Sequence, residues 1–599
     1  MIPQLTAETI EAIVKDEETY WCWLSEQVYA QACAMNPEHL LVLVGKRFNF
    51  AEIVKRCQGY RQYCGKDGQA ARHSLGQLCR ASVVKSLYNW SYETVSEEAG
   101  QQLLVRWFIG YGLHEKALSD TTLWHFEQWL KAQEPRLLFS ELYQQIRQDF
   151  PVASQALQVG DTFAMQSVCR EQSRTEMLRE GCRTLLRRLA QVCPAAHSEV
   201  QQALDNKRLF GIEKELKEWW LDQSARNRLE VNTAYGALEC VILVRQQEQS
   251  RRFAHLLEYE GVRHWLGLVE KVLNDEFELE GEGKEKTAKP NQPNCPAPPS
   301  ASSQGEPKEP SQALMAAQVV AGVVVNLRHR QEHRKGSYAL GSMKDREATF
   351  RLHGDKISFG YNINLAADQD FIAEINAVTG ATPDASGVAA LIANQKAFLG
   401  CVPAKLVYDR AVGKPFYFAA VDKASDGQTQ LVARLIDSSK NARVFSPNAF
   451  ALGEDGYLTC PNHLRTNRAY RAVGAEGWSF RFKADECKGC PLWDKCREAG
   501  SKATSHRTVF VSDYAHQQRQ ALAYTKTAEF QLDMQQRPAI ERIIACLTRY
   551  NGGRQNKARG VVNADFQSRN SAIAYNLKHW CVLTLEKKAA TRHTSPDDG

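Results

Sequence analysis

Three acidic residues stand where local structure could hold them rigidly. Asp161 lies within Ala156–Val168, Asp409 ends the stretch Ala404-Lys405-Leu406-Val407-Tyr408-Asp409, and Glu541 lies within Pro538–Tyr550. Carboxylates that converge on one point repel unless a cation lies between them, and Mg²⁺ prefers such oxygen ligands together with phosphate and water. Two ions about 4 Å apart activate the attacking oxygen and stabilise the leaving oxygen of an in-line phosphoryl displacement. The chemistry expected of the trio is metal-dependent attack on a phosphodiester, with the acids as ligands of two Mg²⁺ ions and not as nucleophiles. The chain holds 69 Asp and Glu, so residue type alone selects nothing and position must. Asp345 is an alternative first acid.

Two further groups could do chemistry. A two-residue spacer lets Cys487 and Cys490 reach one tetrahedral ion, and Cys460 and Cys496 could complete a structural zinc site, with His463 able to replace Cys460. Most of the other cysteines, such as Cys79, Cys169, Cys240 and Cys546, lie singly in apolar segments and read as small core residues of a reducing compartment. From Arg549 to Gly560 the chain carries Arg549, Arg554, Lys557 and Arg559 and no acid. Bases beside a Mg²⁺ site would hold a nucleic-acid strand by its phosphates. Arg537 either joins them or orients Glu541. The run Asn326–Lys335 is also basic, and the periodic Arg of residues 170–190 reads as a solvated helix face.

The elements that must position these residues follow from spacing. Ala156–Val168 lacks helical periodicity and reads as a strand. Phe359–Ala367 and Phe371–Val378 read as two strands joined by a turn at Asp368-Gln369-Asp370, a hairpin. A helix over Ser386–Phe398 follows, then the short strand that ends at Asp409. Pro538–Tyr550 reads as a helix burying Ile540, Ile543, Ile544 and Leu547, with Pro538 in its first turn and Asn551-Gly552-Gly553 ending it. Glu541 lies about 100° around that helix from Ile540 and can face a cleft. Strand, hairpin, crossing helix, strand and a late helix are the order of a ribonuclease-H-like α/β fold, whose adjacent parallel strands would bring Asp161 and Asp409 side by side.

The rest of the chain frames this core. Residues 76–131 and 172–275 are helical in pattern, with Asp120 expected to cap a helix whose face is Leu123, Phe126, Trp129 and Leu130. Gly281–Pro310 holds seven of the twenty prolines, four Lys and four Glu, and reads as a linker that cannot bury enough apolar surface to order itself. The expected organisation is a mainly α-helical N-terminal domain (1–150), the first core strand (151–171), a helical insertion (172–275), a disordered linker (276–312), the continued core (313–420), a Cys-rich insertion (421–530), the final helix with its basic sequel (531–585) and a tail (586–599). The chain is 43% hydrophobic and 24% charged, with a net charge of +6 over 599 residues. Those values suit a soluble globular protein and exclude collagen-like, wholly disordered and coiled-coil classes. Near-neutrality makes any nucleic-acid surface a matter of local clustering. No stretch approaches the roughly 20 apolar residues of a membrane span, and the start lacks a signal peptide's basic and apolar regions, so a cytoplasmic protein with no membrane partner is expected.

Here the sequence resembles the DDE transposases of bacterial insertion sequences, of the cut-and-paste type. Leu78-Cys79-Arg80-Ala81, Ser86–Ser91, Leu104–Gly110 and Ser119–Phe126 are similar to the family's N-terminal helical region, and Gly160-Asp161-Thr162 to the word carrying its first acid. Val378–Asp384 resembles the word after the hairpin, and Val407-Tyr408-Asp409-Arg410-Ala411 the second acid. Arg537–Arg542, followed by Tyr550–Arg554 and Asn576-Leu577-Lys578, resembles the final-acid helix and its sequel. The family's signature commonly has Tyr three residues before the Arg and a base seven after the Glu; Met534 and Thr548 stand there, with Arg549 adjacent. Lys344–Ala348, around Asp345, is another word the family shows. The resemblance implies Mg²⁺-dependent cleavage of double-stranded DNA at mobile-element ends and strand transfer into target DNA. It also implies a homodimer that pairs two ends, and a bacterial protein associated with the nucleoid when on DNA. Rival readings are an inactive DNA-binding regulator of the same descent and a ribonuclease-H-like nuclease without strand transfer. A zinc hydrolase fits poorly, since four cysteines leave no open position.

Overall fold

The computed structural model describes residues 17–60, 73–151, 157–212, 218–250, 252–279, 327–330, 339–436, 444–472, 476–497 and 505–594. The proline-rich segment and residues 326 and 331–335 of the second basic run lie outside them.

The described residues from 17 to 149 fold into helices, each begun by chemistry legible in the chain. Ser74 and Gln77 form a reciprocal capping box, and Ser91 and Ser119 accept from the backbone N–H groups of Thr94 and Thr122. Ser119, not Asp120, is thus the cap of Asp120–Gln133. A hydroxyl one residue earlier reaches the orphan donor, and Asp120 becomes the first helical residue, where its charge suits the helix dipole. Leu123, Phe126 and Leu130 of this helix are buried, while Trp129 is only partly so.

Between residues 157 and 432 the chain builds a mixed sheet from β1 (Leu157–Gln166), β4 (Thr349–His353), β5 (Lys356–Ala367), β6 (Ile372–Thr379), β7 (Lys405–Val407) and β8 (Gln430–Val432). A separate two-stranded ladder pairs β2 (Phe277–Leu279) with β3 (Leu327–His329). β5 lies antiparallel to β1, β6 antiparallel to β5, and β7 and β8 extend the other edge in parallel. β4 and β6 share one edge of β5: β4 pairs with Lys356–Gly360 and β6 with Tyr361–Ala367. β5 is buried from Gly360 to Ala367 without alternation, as a strand covered on both faces must be.

Side-chain parity sorts the two faces. Val159, Phe163, Met165, Leu365 and Val407 join one core with the N-terminal helices, with Ile540, Ile543 and Leu547 of Pro538–Tyr550, and with Leu577 and Trp580 of the long helix Val561–Thr594. Ala366, Leu406 and Tyr408 join the other, with Val388, Leu391 and Ile392 of Val388–Leu399 and Val421 of Pro415–Ser425. The long helix fastens the sheet to the N-terminal helices. Asn576 binds both backbone groups of Ile372 at 2.9 Å, and Asp565 accepts from Ala377 N–H at 2.9 Å.

Between β1 and β4 the helices Arg174–Val192, Pro194–Ala203, Gln223–Gln249 and Glu260–Glu276 enclose a core of their own. Where this excursion leaves and re-enters the sheet, Gln172 donates to the Gly341 carbonyl at 2.9 Å and accepts from Met343 N–H at 2.6 Å. A long insertion whose ends meet adds little strain to the sheet that carries it. Phe277–Leu279 corrects the expected linker boundary at 276: Phe277 is buried in this second core and pairs with His329. In the described part of the second basic run, Arg328 pairs with Glu278 at 2.9 Å and His329 with Glu230 at 2.6 Å. Both bases thus pair with acids of the insertion, and Arg328 remains exposed.

Candidate functional site

β1 and β7 run in parallel, about 4.8 Å apart, with Val159 opposite Val407, so Asp161 lies two residues farther along β1 and Asp409 two residues beyond the end of β7. Both share the parity of Val159 and Val407, and so the face covered by Pro538–Tyr550. The intervening Gly160 is required by packing. A Cβ there would stand 2.4 Å from Cε2 of the fully buried Tyr408 ring. Gly160→Ala is therefore expected to cost about 1–3 kcal/mol by overpacking, read as a lower urea midpoint; an unchanged midpoint would mean that the ring moves freely.

Asp161 is largely buried. Its Oδ1 accepts from Thr162 N–H at 2.8 Å and its Oδ2 faces the Arg537 guanidinium at 3.5 Å. Burial pushes its carboxyl above the ordinary range. The Thr162 N–H and Arg537 oppose that push, and Asp409 and Asp384 reinforce it, leaving the net shift upward. Asp409 caps a short 3₁₀ turn, accepting from Ala411 N–H at 2.8 Å. Glu541 is exposed at the first turn of its helix, and Arg537 reaches it at 4.0 Å one turn away. Arg537 thus stands between Asp161 and Glu541, linking the β1 acid to the late helix.

On the opposite face lies a set of residues to which the sequence reading gave no role. Arg351 of β4 pairs with Asp384 at 3.1 Å and donates to Thr162 Oγ1 at 3.0 Å, while Asn362 donates to Asp384 at 2.7 Å. Asp384 adds to the negative field around Asp161. Its place just after Pro383 at a helix start was a usable signal for a fixed acid. Nothing local marked Arg351.

Asp345 lies elsewhere. It is buried and accepts from Ser167 Oγ at 2.5 Å, from the Tyr361 hydroxyl at 2.6 Å and from Gly560 N–H at 3.2 Å. Tyr361 is four residues along β5 from Leu365, the partner of Asp161, or about 13 Å at the rise of a strand. Asp345 ties the end of β1 to the basic segment. That segment docks on the same end: Gln166 N–H donates to the Arg554 carbonyl at 2.9 Å and Asn556 N–H to the Gln166 carbonyl at 2.8 Å. Arg549, Arg554 and Arg559 are exposed, and Lys557 donates to the Asn89 carbonyl at 2.9 Å.

Cys460, Cys487, Cys490 and Cys496 line one small pocket with Phe445, Phe450, Phe482 and Trp493. Burial pushes the Cys487 and Cys496 thiols up. Among the described residues no group of three or more His, Cys, Asp or Glu side chains is gathered to hold a metal ion. The zinc expectation therefore finds no support: the cysteines serve a small apolar core with Leu458, Phe480 and Val509. The acidic trio is likewise not drawn to one point.

Two stretches of the chain match known families. Residues 31–129 match the model described as Transposase domain (DUF772), and residues 459–581 match the Transposase DDE domain. This combination is typical of insertion-sequence transposases. The second match takes in the four cysteines, Arg537, Glu541 and the basic segment, whereas Asp161 and Asp409 lie outside both. No curated protein matches the chain, and no solved structure does. Among the described residues no helix is long and apolar enough to cross a membrane.

Proposed function

We propose that the protein is a transposase that cleaves DNA at the ends of a mobile element and joins the freed 3′ ends to target DNA, with Asp161, Asp409 and Glu541 as its metal-holding carboxylates. The observation that carries this reading is the adjacency of Asp161 and Asp409 on parallel strands, with Arg537 reaching across to Glu541. The strand order β6-β5-β1-β7-β8, with only β5 antiparallel to its neighbours, supports a ribonuclease-H-like core.

The donor set suits a divalent cation in kind. It consists of hard oxygen ligands, two at strand ends and one in the first turn of a helix, and Asp409 and Asp384 add to the upward push that burial gives the Asp161 carboxyl. Asp161, Asp409 and Glu541 would hold such an ion, whose chemistry there would be activation of an attacking hydroxyl and charge neutralisation at the leaving oxygen. The chain's own residues do the positioning. The Ala411 N–H fixes one oxygen of Asp409. Arg351 pairs with Asp384 and holds this fourth acid on the opposite face of the sheet. The exposed bases Arg549, in the last turn of the Glu541 helix, and Arg554 and Arg559 beyond it, with Lys557, would grip strand phosphates in a salt-dependent manner. Two copies would pair the two ends.

The test incubates the full chain with linear DNA carrying both element ends and a supercoiled target. In Mg²⁺ the expected products are 3′-hydroxyl nicks at the ends and joined molecules, and neither forms in EDTA. Nicks without joining would leave a nuclease, and DNA binding without nicks would leave a regulator.

A further inference from the structure

The hairpin of β4 and β5 runs on past the sheet that carries it. Gly360 is the last β5 residue in register with β1, and beyond it Lys356–Phe359 pair with β4 alone. Gly354 and Asp355 close the turn between His353 and Lys356, with Gly354 in the left-handed region (φ 58°) as a two-residue turn requires. The base is held firmly. Phe350 and Phe359 meet with ring centroids 5.3 Å apart, and both press on Gly341, where a Cβ would stand 2.5 Å from the Phe359 ring. The tip reverses the usual pattern. Leu352 and Ile357 lie directly opposite each other, and they are 72% and 69% exposed. Single exposed aliphatics are ordinary, but a facing pair at the end of a rigid protrusion is an apolar wedge without a slot.

Its surroundings indicate the slot. The basic segment bridges β1 at Gln166, the residue paired with Gly360, on the edge away from β5. Two strand spacings across and three residues along put the wedge roughly 14 Å from the Arg554 backbone. Exposed Arg554 therefore lies at the same end of the sheet as the aliphatic tip, a combination that attracts phosphates and offers a side chain to insert. Apolar side chains driven between base steps beside phosphate-gripping bases bend duplex DNA. From Ile357 to Leu365, the partner of Asp161, is eight residues of β5, about 26 Å, or about eight base-pair steps.

We propose that Leu352 and Ile357 form a wedge that enters the stack of duplex DNA about eight base pairs from the bond to be cut. This rests on the transposase reading, and the test separates the two. The full chain is titrated with a fully paired duplex of mixed sequence and with the same duplex carrying one central mismatch beside a 2-aminopurine. A mismatch removes part of the unstacking cost, so wild type is expected to bind it about tenfold tighter and to brighten the probe. The doubly substituted chain, Leu352→Ser with Ile357→Ser, should lose the preference and the brightening while keeping its circular dichroism and its salt-dependent binding to paired DNA. Both positions are exposed, so folding is not at stake. Retention of the preference by the double variant overturns the wedge and leaves the transposase reading intact. So does a shift of the variant from dimer to monomer with unchanged DNA binding, since the tip would then meet a second copy of the chain. If wild type binds no DNA, both proposals fall.

Discussion

Asp409→Ala is expected to lower Mg²⁺-dependent DNA cleavage by on the order of 10²–10³-fold while leaving the fold intact. Loss of groups that merely orient metal ligands costs 10–100-fold, and loss of one preorganised contact to developing charge costs 10²–10³-fold; a carboxylate taken to hold the ion itself should exceed the first range and reach the second. The structural cost is small by comparison. Asp409 contributes one hydrogen bond, to Ala411 N–H at the start of a short turn, worth about 1 kcal/mol as a cap. Gel assays of end-containing DNA should thus show no nicks, while thermal unfolding moves by a few degrees at most. Cleavage within tenfold of wild type would remove Asp409, and with it the trio, from the chemistry.

The largest stability effect is expected at Glu127, in the N-terminal helices. Its carboxylate is fully buried and accepts from Ser82 Oγ at 2.7 Å, Lys85 Nζ at 2.7 Å and the Tyr92 hydroxyl at 2.7 Å. Glu127→Ala strands the half-buried Lys85 ammonium and two hydroxyls, so a loss of about 3–5 kcal/mol is expected, as when one member of a buried pair is removed. The pH dependence has a definite sign. Burial pushes the Glu127 carboxyl up, but Lys85 and the bonds from Lys85, Ser82 and Tyr92 outweigh it, and the net shift is downward. A carboxyl lowered by folding stabilises the folded state above its unfolded value of about 4.3, and that contribution disappears as pH falls through the folded value. Urea midpoints of wild type and variant should therefore differ most near neutral pH and converge in strong acid. A difference independent of pH would assign the loss to packing rather than charge.

The Cys-rich stretch shows how far a spacing rule reaches. Cys487, Cys490, Cys460 and Cys496 do gather around one pocket. Spacing cannot state what surrounds the thiols, however, and Phe445, Phe450, Phe482 and Trp493 wall the same pocket. Asp345 teaches a similar lesson. A family-like word around it is compatible with an acid at the site, yet its partners lie 178, 16 and 215 residues away in sequence, and no local pattern encodes such neighbours.

The chain by itself determined the elements, because alternation, helical spacing, caps and turn residues are local. The strand around Asp161, the hairpin at Asp368-Gln369-Asp370, the helix after Pro383 and the bounds Pro538–Tyr550 could all be read from neighbouring residues, and the structure has them within two or three positions. Parity even implied which residues of β1 and β7 share a face. Only the tertiary structure decided that Arg537 stands between Asp161 and Glu541, that Arg351 pairs with Asp384, that Asp345 is an anchor, and that the β4–β5 hairpin ends in an exposed aliphatic pair. Each of these depends on which segments come to lie against one another. That choice is made by burying the whole molecule's apolar surface at once, and no window of sequence contains it.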